Sequence, residues 1–275
     1  MHTLITGGAG YIGSHTCLAL LEAGHQVTVL DNLCNGSAQA LQRVQQLAGK
    51  PLHFIHGDIR NPADLQRAFA GRPDAVIHFA ALKAVGESCE KPLDYFDNNI
   101  GGTIALLQAM RAAAVNTLVF SSSATVYGEP DAVPVTEDAA LRVTNPYGRT
   151  KLVMEQLIGD CCQADPAMSA VLLRYFNPVG AHPSGRIGED PSGTPNNLMP
   201  YIAQVAVGRR QRLSVFGGDY PTVDGTGVRD YLHVMDLADA HVRALDYAAT
   251  ARGALALNVG TGQGCSVLEL VRAFE

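Results

Sequence analysis

TLITGGAGYIGSHTCLALLEAG, residues 3 to 24, decides the fold. A short β-rich run, Thr3 to Thr6, stops at a glycine turn. An apolar pattern of helical period follows and ends at Gly24, a residue type suited to the left-handed position that closes a helix. Gly8, Gly10 and Gly13 satisfy G-x-G-x-x-G, while Gly7, Gly10 and Gly13 satisfy the looser G-x-x-G-x-x-G. With either spacing the backbone can approach a pyrophosphate at a helix N-terminus, where unpaired N–H groups and the helix dipole favour an anion. Three glycines can also make a tight turn and nothing more, so the context has to choose.

The context is a second strand, QVTVLD, whose last residue, Asp31, comes 18 residues after Gly13. An acid there can accept hydrogen bonds from the hydroxyls of an adenosine ribose; without the glycines upstream it would read as a solvated strand end. The following loop, NLCNGSAQALQ, holds no Lys or Arg to meet a 2′-phosphate, so NAD is expected rather than NADP. LHFIHGDI (52–59), DAVIHFAA (74–81), NTLVFSSS (116–123) and SAVLLRYFN (169–177) continue as β-branched runs separated by helix-length segments. This alternation predicts an α/β fold: a Rossmann-type, doubly wound parallel sheet with ligand chemistry beyond the carboxyl ends of its strands.

Composition narrows the partners. A chain of 275 residues with 47% hydrophobic residues can hold a large domain and a smaller one. The net charge is −6 and the longest Lys/Arg run is Arg209-Arg210, so no stripe is available to neutralise a nucleic-acid backbone. No stretch approaches the roughly 20 apolar residues of a membrane span, and MHTLITGGAG lacks the basic and apolar regions of a secretory leader. Six cysteines without C-x-x-C spacing fit a reducing, cytoplasmic setting. Nine histidines form no H-E-x-x-H or similar cluster, and no metal is expected.

NPYGRTK, residues 145 to 151, carries the chemistry. Asn145 suits an N-cap and Pro146 the first helical position, with Val153, Met154, Leu157 and Ile158 as the buried stripe. Tyr147 and Lys151 then lie one turn apart on one face. A nearby ammonium favours the phenolate of a tyrosine whose free pKa is ~10, which would make Tyr147 a general base. Taken alone, Y-x-x-x-K also describes an ordinary amphipathic helix.

The glycine turn, the acid ending the second strand, the serines at 121–123 and Y-x-x-x-K together resemble the extended short-chain dehydrogenase/reductase family. Longer strings, among them DNLCN, KAVGES, FSSSATVYG, LLRYFNPVGAHPSG and GTGVRDYLHVMDLADAH, are similar to its UDP-sugar epimerases along the whole chain. The resemblance implies interconversion of UDP-glucose and UDP-galactose at sugar C4, with Ser123, Tyr147 and Lys151 catalytic and NAD as hydride carrier. To the glycines at 7, 10 and 13 it adds, as NAD contacts, Tyr11, Ile12, Asp31, Asn32, Leu33, Cys34, Asn35, Gly36, Asp58, Ile59, Phe79, Ala80, Ala81, Leu82, Lys83, Asn98, Ser123, Tyr147, Lys151 and Phe176. Facing the nucleotide sugar it places Ser123, Tyr147, Asn177, Asn197, Leu198, Ser214, Val215, Phe216 and Arg229. Two rivals stay open: a nucleotide-sugar 4,6-dehydratase, which needs an Asp-Glu pair where this chain has Ala124 and Thr125, and a non-catalytic NAD-binding module.

After Asn177 the Pro- and Gly-rich stretch 178–197 marks the passage from an NAD-binding domain (1–177) to a substrate-binding portion (178–275). LMPYIAQVAVGRR reads as a helix, RLSVFG as a strand, and DGTGVRDY as a loop bearing Arg229, whose planar fork suits a diphosphate or a surface salt bridge. The helix HVMDLADAHVRALDYAA and strand ALALNVG should bring residues 232–262 back onto the first domain. The resemblance implies several dozen residues beyond Glu275, supplying a second arginine, an acidic ribose contact and the pocket wall that decides whether N-acetylated sugars fit. It also implies a homodimer, pairing the apolar helices at 93–114 and 147–163.

Overall fold

The computed structural model describes residues 1–191, 195 and 197–275, so part of the stretch 178–197 lies outside the described residues. The first half runs β1 (His2–Thr6), α1 (Tyr11–Glu22), β2 (Gln26–Asp31), α2 (Ala38–Ala48), β3 (His53–His56), α3 (Pro62–Phe69) and β4 (Ala75–His78). Next come α4 (Val85–Glu90), α5 (Pro92–Tyr95), a π-turn (Phe96–Gly101), α6 (Gly102–Ala112), β5 (Thr117–Ser121), a 3₁₀ turn (Ala124–Val126), α7 (Pro146–Ala164) and β6 (Ser169–Tyr175). The remainder is β7 (Asn177–Val179), α8 (Leu198–Ala206), β8 (Val228–His233), α9 (Val234–Ala248), β9 (Gly253–Val259), β10 (Gly264–Ser266) and α10 (Val267–Phe274).

Seven strands pair in the order β3-β2-β1-β4-β5-β6-β9, every pair parallel. Because successive strand residues face opposite ways, Leu4, Leu30, Val76 and Leu118 join one core with Leu65, Leu106, Met154 and Ile158. Ile5, Val29, Ile77 and Val119 join the other with Leu18, Leu41 and Leu245. Both faces are covered, which is why these strands read as continuous apolar runs. The strand order reverses between β1 and β4, and a crevice opens there beyond their carboxyl ends.

Several local expectations change. RLSVFG is not a strand: Phe216 is 88% exposed, and no neighbouring strand pairs with it among the described residues. Arg229 lies within β8 rather than in a loop, opposite Cys265 of β10. SAVLLRYFN divides at Phe176, after which Asn177 opens β7 and pairs with Tyr231 of β8 in a separate three-stranded sheet. The helix expected at 93–114 is interrupted by the π-turn, where buried Asn99 turns its amide inward to Leu82 and Thr150. On α7, Lys151 and Glu155 are buried while Val153 and Leu157 are only half-buried, so the inward stripe is more polar than the sequence suggested.

The glycine turn is fixed by backbone contact. Gly7 has φ +75°, and a Cβ on it would stand 2.6 Å from the Ala80 nitrogen; a Cβ on Gly13 would stand 2.3 Å from the Gly7 carbonyl oxygen. The nearest atoms to a Cβ on Gly8 are in the side chains of Val29 and Cys17, not in backbone, so the 7-10-13 spacing describes this turn better than the 8-10-13 spacing. Gly13→Ala should destabilise the fold by about 1–3 kcal/mol, since backbone must move to admit the methyl group. Gly86→Ala is the control, because a Cβ there meets nothing within 4 Å. Equal urea midpoints for the two variants would show that the close approach does not constrain the turn.

Candidate active site

Beyond the strand ends lies a cleft of about 780 Å³. The residues at 7, 10, 11, 12 and 13 line one side, Asn35, Gly36, Phe79, Ala81 and Lys83 another, and Ser123, Tyr147, Lys151, Phe176, Asn177 and Asn197 the remainder. A hollow of about 90 Å³ adjoins it, bounded by Asp31, Asn32, Cys34, Asn35, Gly36, Ile59, Ala80, Ala81 and Asn98. Residues spread over 190 positions of sequence thus meet at one crevice.

Each wall has a local cause. α1 starts at Gly10 with no side-chain cap, so the N-terminus of the helix faces the cleft with backbone donors. Asp31, at the end of β2, takes Ala9 N–H on one carboxylate oxygen (2.9 Å) and Leu33 N–H on the other (2.8 Å), which leaves each oxygen able to accept again. Burial raises its pKa and those two bonds oppose the rise. Leu33 adopts φ +60° to turn the loop back, and Gly36 packs so tightly on Ala9 that a Cβ would come within 2.9 Å of it. Asp58 is bound to Arg60 and accepts from the Asn32 amide at 3.1 Å, and the Arg60 bonds hold its carboxyl far below the usual range. Leu82 is pinned by Asn99, which accepts from its N–H and donates to its carbonyl.

The α7 wall behaves as its sequence suggested at the start of the helix. Asn145 accepts the Gly148 N–H at 2.8 Å, with Pro146 following. Tyr147 and Lys151 are 7% and 2% exposed. The lysine donates to the Ser121 carbonyl at 2.7 Å, and its nitrogen lies 6.0 Å from the centre of the Tyr147 ring. The Ser123 hydroxyl lowers the pKa of the Tyr147 phenol and accepts from the Thr125 hydroxyl at 3.0 Å.

The expected depression of the tyrosine pKa is not what this arrangement produces. Burial drives the Tyr147 phenol well above its ordinary value, with Tyr175 adding to the rise and Ser123 opposing it. Burial also pushes the Lys151 ammonium down to about 7, against the attraction of Glu155. Spacing placed the pair correctly, and desolvation is the largest influence on each.

Some predicted residues stand apart. Leu198, Ser214, Val215, Phe216 and Arg229 do not line the cleft, and Phe216 and Arg229 are exposed. Other residues escaped the sequence reading. Tyr175 lines the cleft and shares a hydrogen bond with the Ser121 hydroxyl at 2.8 Å. Arg43 of α2 donates to the Arg186 carbonyl at 2.9 Å, and Lys83 meets Glu189 at 3.5 Å, so residues 186–189 are tied down on both sides of the cleft. Behind the cleft, the Glu155 carboxylate accepts from Ser122 and from Arg174. The one signal for Glu155 was its place four residues beyond Lys151, continuing the helical stripe. Among the described residues, no group of three His, Cys, Asp or Glu could hold a metal ion, and no helix is long and apolar enough to cross a membrane.

A long cleft with uncapped helix donors at its centre, a carboxylate with spare acceptors at one end and a phenol at the other has the chemistry of a dinucleotide site. Comparison with known proteins agrees. The chain is 60% identical over 276 residues to the UDP-glucose 4-epimerase of Bacillus subtilis, an alignment covering 100% of this chain and 81% of that one. It superposes on the crystal structure of UDP-glucose 4-epimerase from Bifidobacterium longum in complex with NAD+ and UDP with a TM-score of 0.97 at 52% identity, covering 100% of this chain and 82% of that one. The Stenotrophomonas maltophila UDP-glucose-4-epimerase with bound NAD and formylated UDP-arabinopyranose gives 0.96 at 55% identity, with the same coverage. Residues 3–260 match the family model, and the chain belongs to the NAD dependent epimerase/dehydratase family.

Proposed function

We propose that the chain is an NAD-dependent isomerase that interconverts UDP-galactose and UDP-glucose by epimerising sugar C4. The observation that carries this reading is the meeting of Ser123, Tyr147 and Lys151 in the same cleft as the glycine turn. NAD fits the site: the turn leaves no room for a Cβ beside the Gly7 and Gly13 backbone, the first turn of α1 offers donors to a pyrophosphate, and Asp31 offers acceptors to the ribose. When bound, NAD supplies a reversible hydride acceptor. Tyr147, as phenolate, takes the proton of the 4-hydroxyl; Ser123 hydrogen-bonds the same oxygen; the Lys151 ammonium favours the phenolate and holds the nicotinamide ribose. Bound NAD would take up the C4 hydride and be the source from which it returns, and the cleft would have to let the 4-keto sugar turn so that its other face meets the cofactor.

A 4,6-dehydratase would need carboxylates to run an elimination across C5 and C6. Ala124 and Thr125 border the cleft at that point, and epimerisation needs neither acid. We assign cofactor binding to residues 1–177 and sugar contacts mainly to 178–275, with 232–262 returning to the sheet. Asn177 and Asn197 begin the nucleotide-sugar side; Arg229 is assigned to the diphosphate and Phe216 to the nucleotide sugar, both exposed and outside the cleft lining. We place the protein in the cytoplasm, in keeping with its six free cysteines. A homodimer through α6 and α7 accounts for the 40% exposure of Ile104 and the half-buried Leu157 and Cys161. Light scattering at micromolar concentration should give twice the chain mass; a monomer there would remove this part of the proposal.

Nucleotide released by denaturing the purified protein should be NAD or NADH, and Asp31→Asn should weaken NAD binding by about tenfold or more, since an amide replaces one ionised acceptor. Recovery of mainly NADP(H) would contradict the role given to Asp31.

Turnover of UDP-galactose to UDP-glucose tests the reaction itself. Tyr147→Phe should keep the fold and NAD occupancy and lose at least ~10²-fold in kcat. Lys151→Ala should also be slow, with a rate that climbs with pH yet stays below wild type, because burial already raises the phenol and a nearby ammonium, which favours the phenolate, is gone. A Tyr147→Phe enzyme with near-normal kcat would send the 4-hydroxyl proton to a different base.

A further inference from the structure

Tyr147, Lys151 and Glu155 succeed one another at four-residue intervals on α7, and all three are buried, at 7%, 2% and 5% exposure. The first two belong to the chemistry above; Glu155 does not touch the cleft. Its partners lie behind the site. One carboxylate oxygen accepts from the Ser122 hydroxyl, and the Arg174 guanidinium, 6% exposed on β6, donates to both oxygens at 2.7 to 3.1 Å. Arg174 is held in turn by the Tyr127 hydroxyl at 3.0 Å and the Glu137 carbonyl at 3.3 Å.

This placement bears on the site by two routes. Ser122 sits between the two residues that matter at the end of β5: Ser121, whose carbonyl accepts from Lys151, and Ser123, which lines the cleft with Tyr147. Neighbouring residues of an extended segment point to opposite sides, so a clamp on the Ser122 hydroxyl from behind sets where Ser121 and Ser123 stand in front. The second route is charge. Lys151 donates to a neutral carbonyl, that of Ser121, and is removed from water by Phe120 at 4.9 Å and Tyr147. An ammonium so placed deprotonates unless an opposite charge is near.

Among the described residues, no other carboxylate acts on Lys151. His78 of β4 is buried between the Thr6 and Thr103 hydroxyls and is pushed down to about 3 by burial and then by Lys151, so it is neutral. Tyr95 of α5 and Tyr175 of β6 are phenols that burial keeps protonated. Glu87 of α4 is engaged by Lys91 and Tyr95, and Asp97 of the π-turn by Arg60. Arg174 is a cation that bonds Glu155. Glu155 is thus the carboxylate on the lysine's own face and the one whose attraction supports the ammonium.

We propose that Glu155 is a positioning residue: held by Arg174, it supplies the counter-charge that keeps Lys151 protonated, and through Ser122 it fixes the strand end that carries Ser121 and Ser123. The catalytic consequence rests on the epimerase reading; the charge on Lys151 does not. The chain has four lysines, Lys50, Lys83, Lys91 and Lys151, so protein labelled with [ε-¹³C]lysine gives a spectrum simple enough to titrate. Loss of one signal in Lys151→Arg assigns the resonance. In Glu155→Gln the Lys151 midpoint should fall by about one pH unit or more, the shift expected on losing a nearby opposite charge, and the rising limb of kcat against pH should move to higher pH. Ser122→Ala keeps the charge and drops the clamp: midpoint and limb should stay put while kcat falls roughly tenfold or more at unchanged KM. Glu155→Asp should restore the midpoint. If Glu155→Gln does not fold because Arg174 is left unpaired, Glu155→Gln/Arg174→Met removes both charges and should lower the midpoint by a smaller amount. An unchanged midpoint in the folded glutamine variant, single or double, overturns the charge assignment, and an unchanged kcat in Ser122→Ala overturns the clamp. If the midpoint falls but wild type does not convert UDP-galactose, the charge assignment stands and the epimerase reading fails.

Discussion

Two stretches of main chain touch where β1 ends: Gly7 lies against the Ala80 backbone, and Gly13 against the Gly7 carbonyl. Neither contact leaves space for a methyl group. The first holds the loop after β4 against the loop after β1 at the point where the strand order reverses, and the second seats α1 directly behind the turn. The cleft exists because these two loops part after that contact, and the donors of α1 face it because no side chain caps the helix. Loop 32–36 then closes on the same turn, with Ser37 N–H donating to the Ala9 carbonyl at 3.1 Å. A residue larger than glycine at 7 or 13 would disturb the cleft at its floor, not at its rim.

On the opposite wall the dominant physics is desolvation. Tyr147 and Lys151 are both placed where water is excluded, and burial drives each toward its neutral form, the phenol up and the ammonium down. Left to burial alone, the pair would be two uncharged groups with nothing to gain from proximity. A phenolate forms only when positive charge faces it, and Lys151 can provide that charge only while something keeps the lysine protonated. The function of the pair therefore depends on groups outside Y-x-x-x-K.

The sequence was most legible where local chemistry and tertiary context agree. Asn145-Pro146 opened α7, Asp31 ended β2, and the apolar runs became parallel strands because both faces of the sheet are covered. It was least legible where a segment's state depends on a neighbour far away in sequence. RLSVFG alternates like a strand but finds no pairing partner among the described residues, whereas DGTGVRDY, with its glycines, contributes to one because β7 and β10 flank it. FDNNIG alone does not announce the π-turn, whose buried Asn99 bonds both Leu82 and Thr150, residues far from it in sequence. Spacing shows that Tyr147 and Lys151 meet, and only the packed structure shows how dry the meeting place is, with burial pulling each toward its neutral form.

The buried charges also explain why the segment that returns after residue 228 matters to the site. From Glu155 the hydrogen bonds run to Arg174, from Arg174 to the Tyr127 hydroxyl, and from Tyr127 to the Asn258 side chain on β9 at 2.6 Å. Asn258 closes the circuit by donating from its N–H to Glu137 at 2.8 Å and from its amide to the Val135 carbonyl at 2.9 Å. A buried ion pair adds little stability over apolar packing, but breaking one leaves an uncompensated charge that is costly. The sheet therefore cannot let β9 drift from β6 without loosening the bonds that hold Arg174, and with them the carboxylate behind Lys151. Through that chain the last strand at the sheet edge helps set the geometry of a tyrosine more than a hundred residues earlier in sequence.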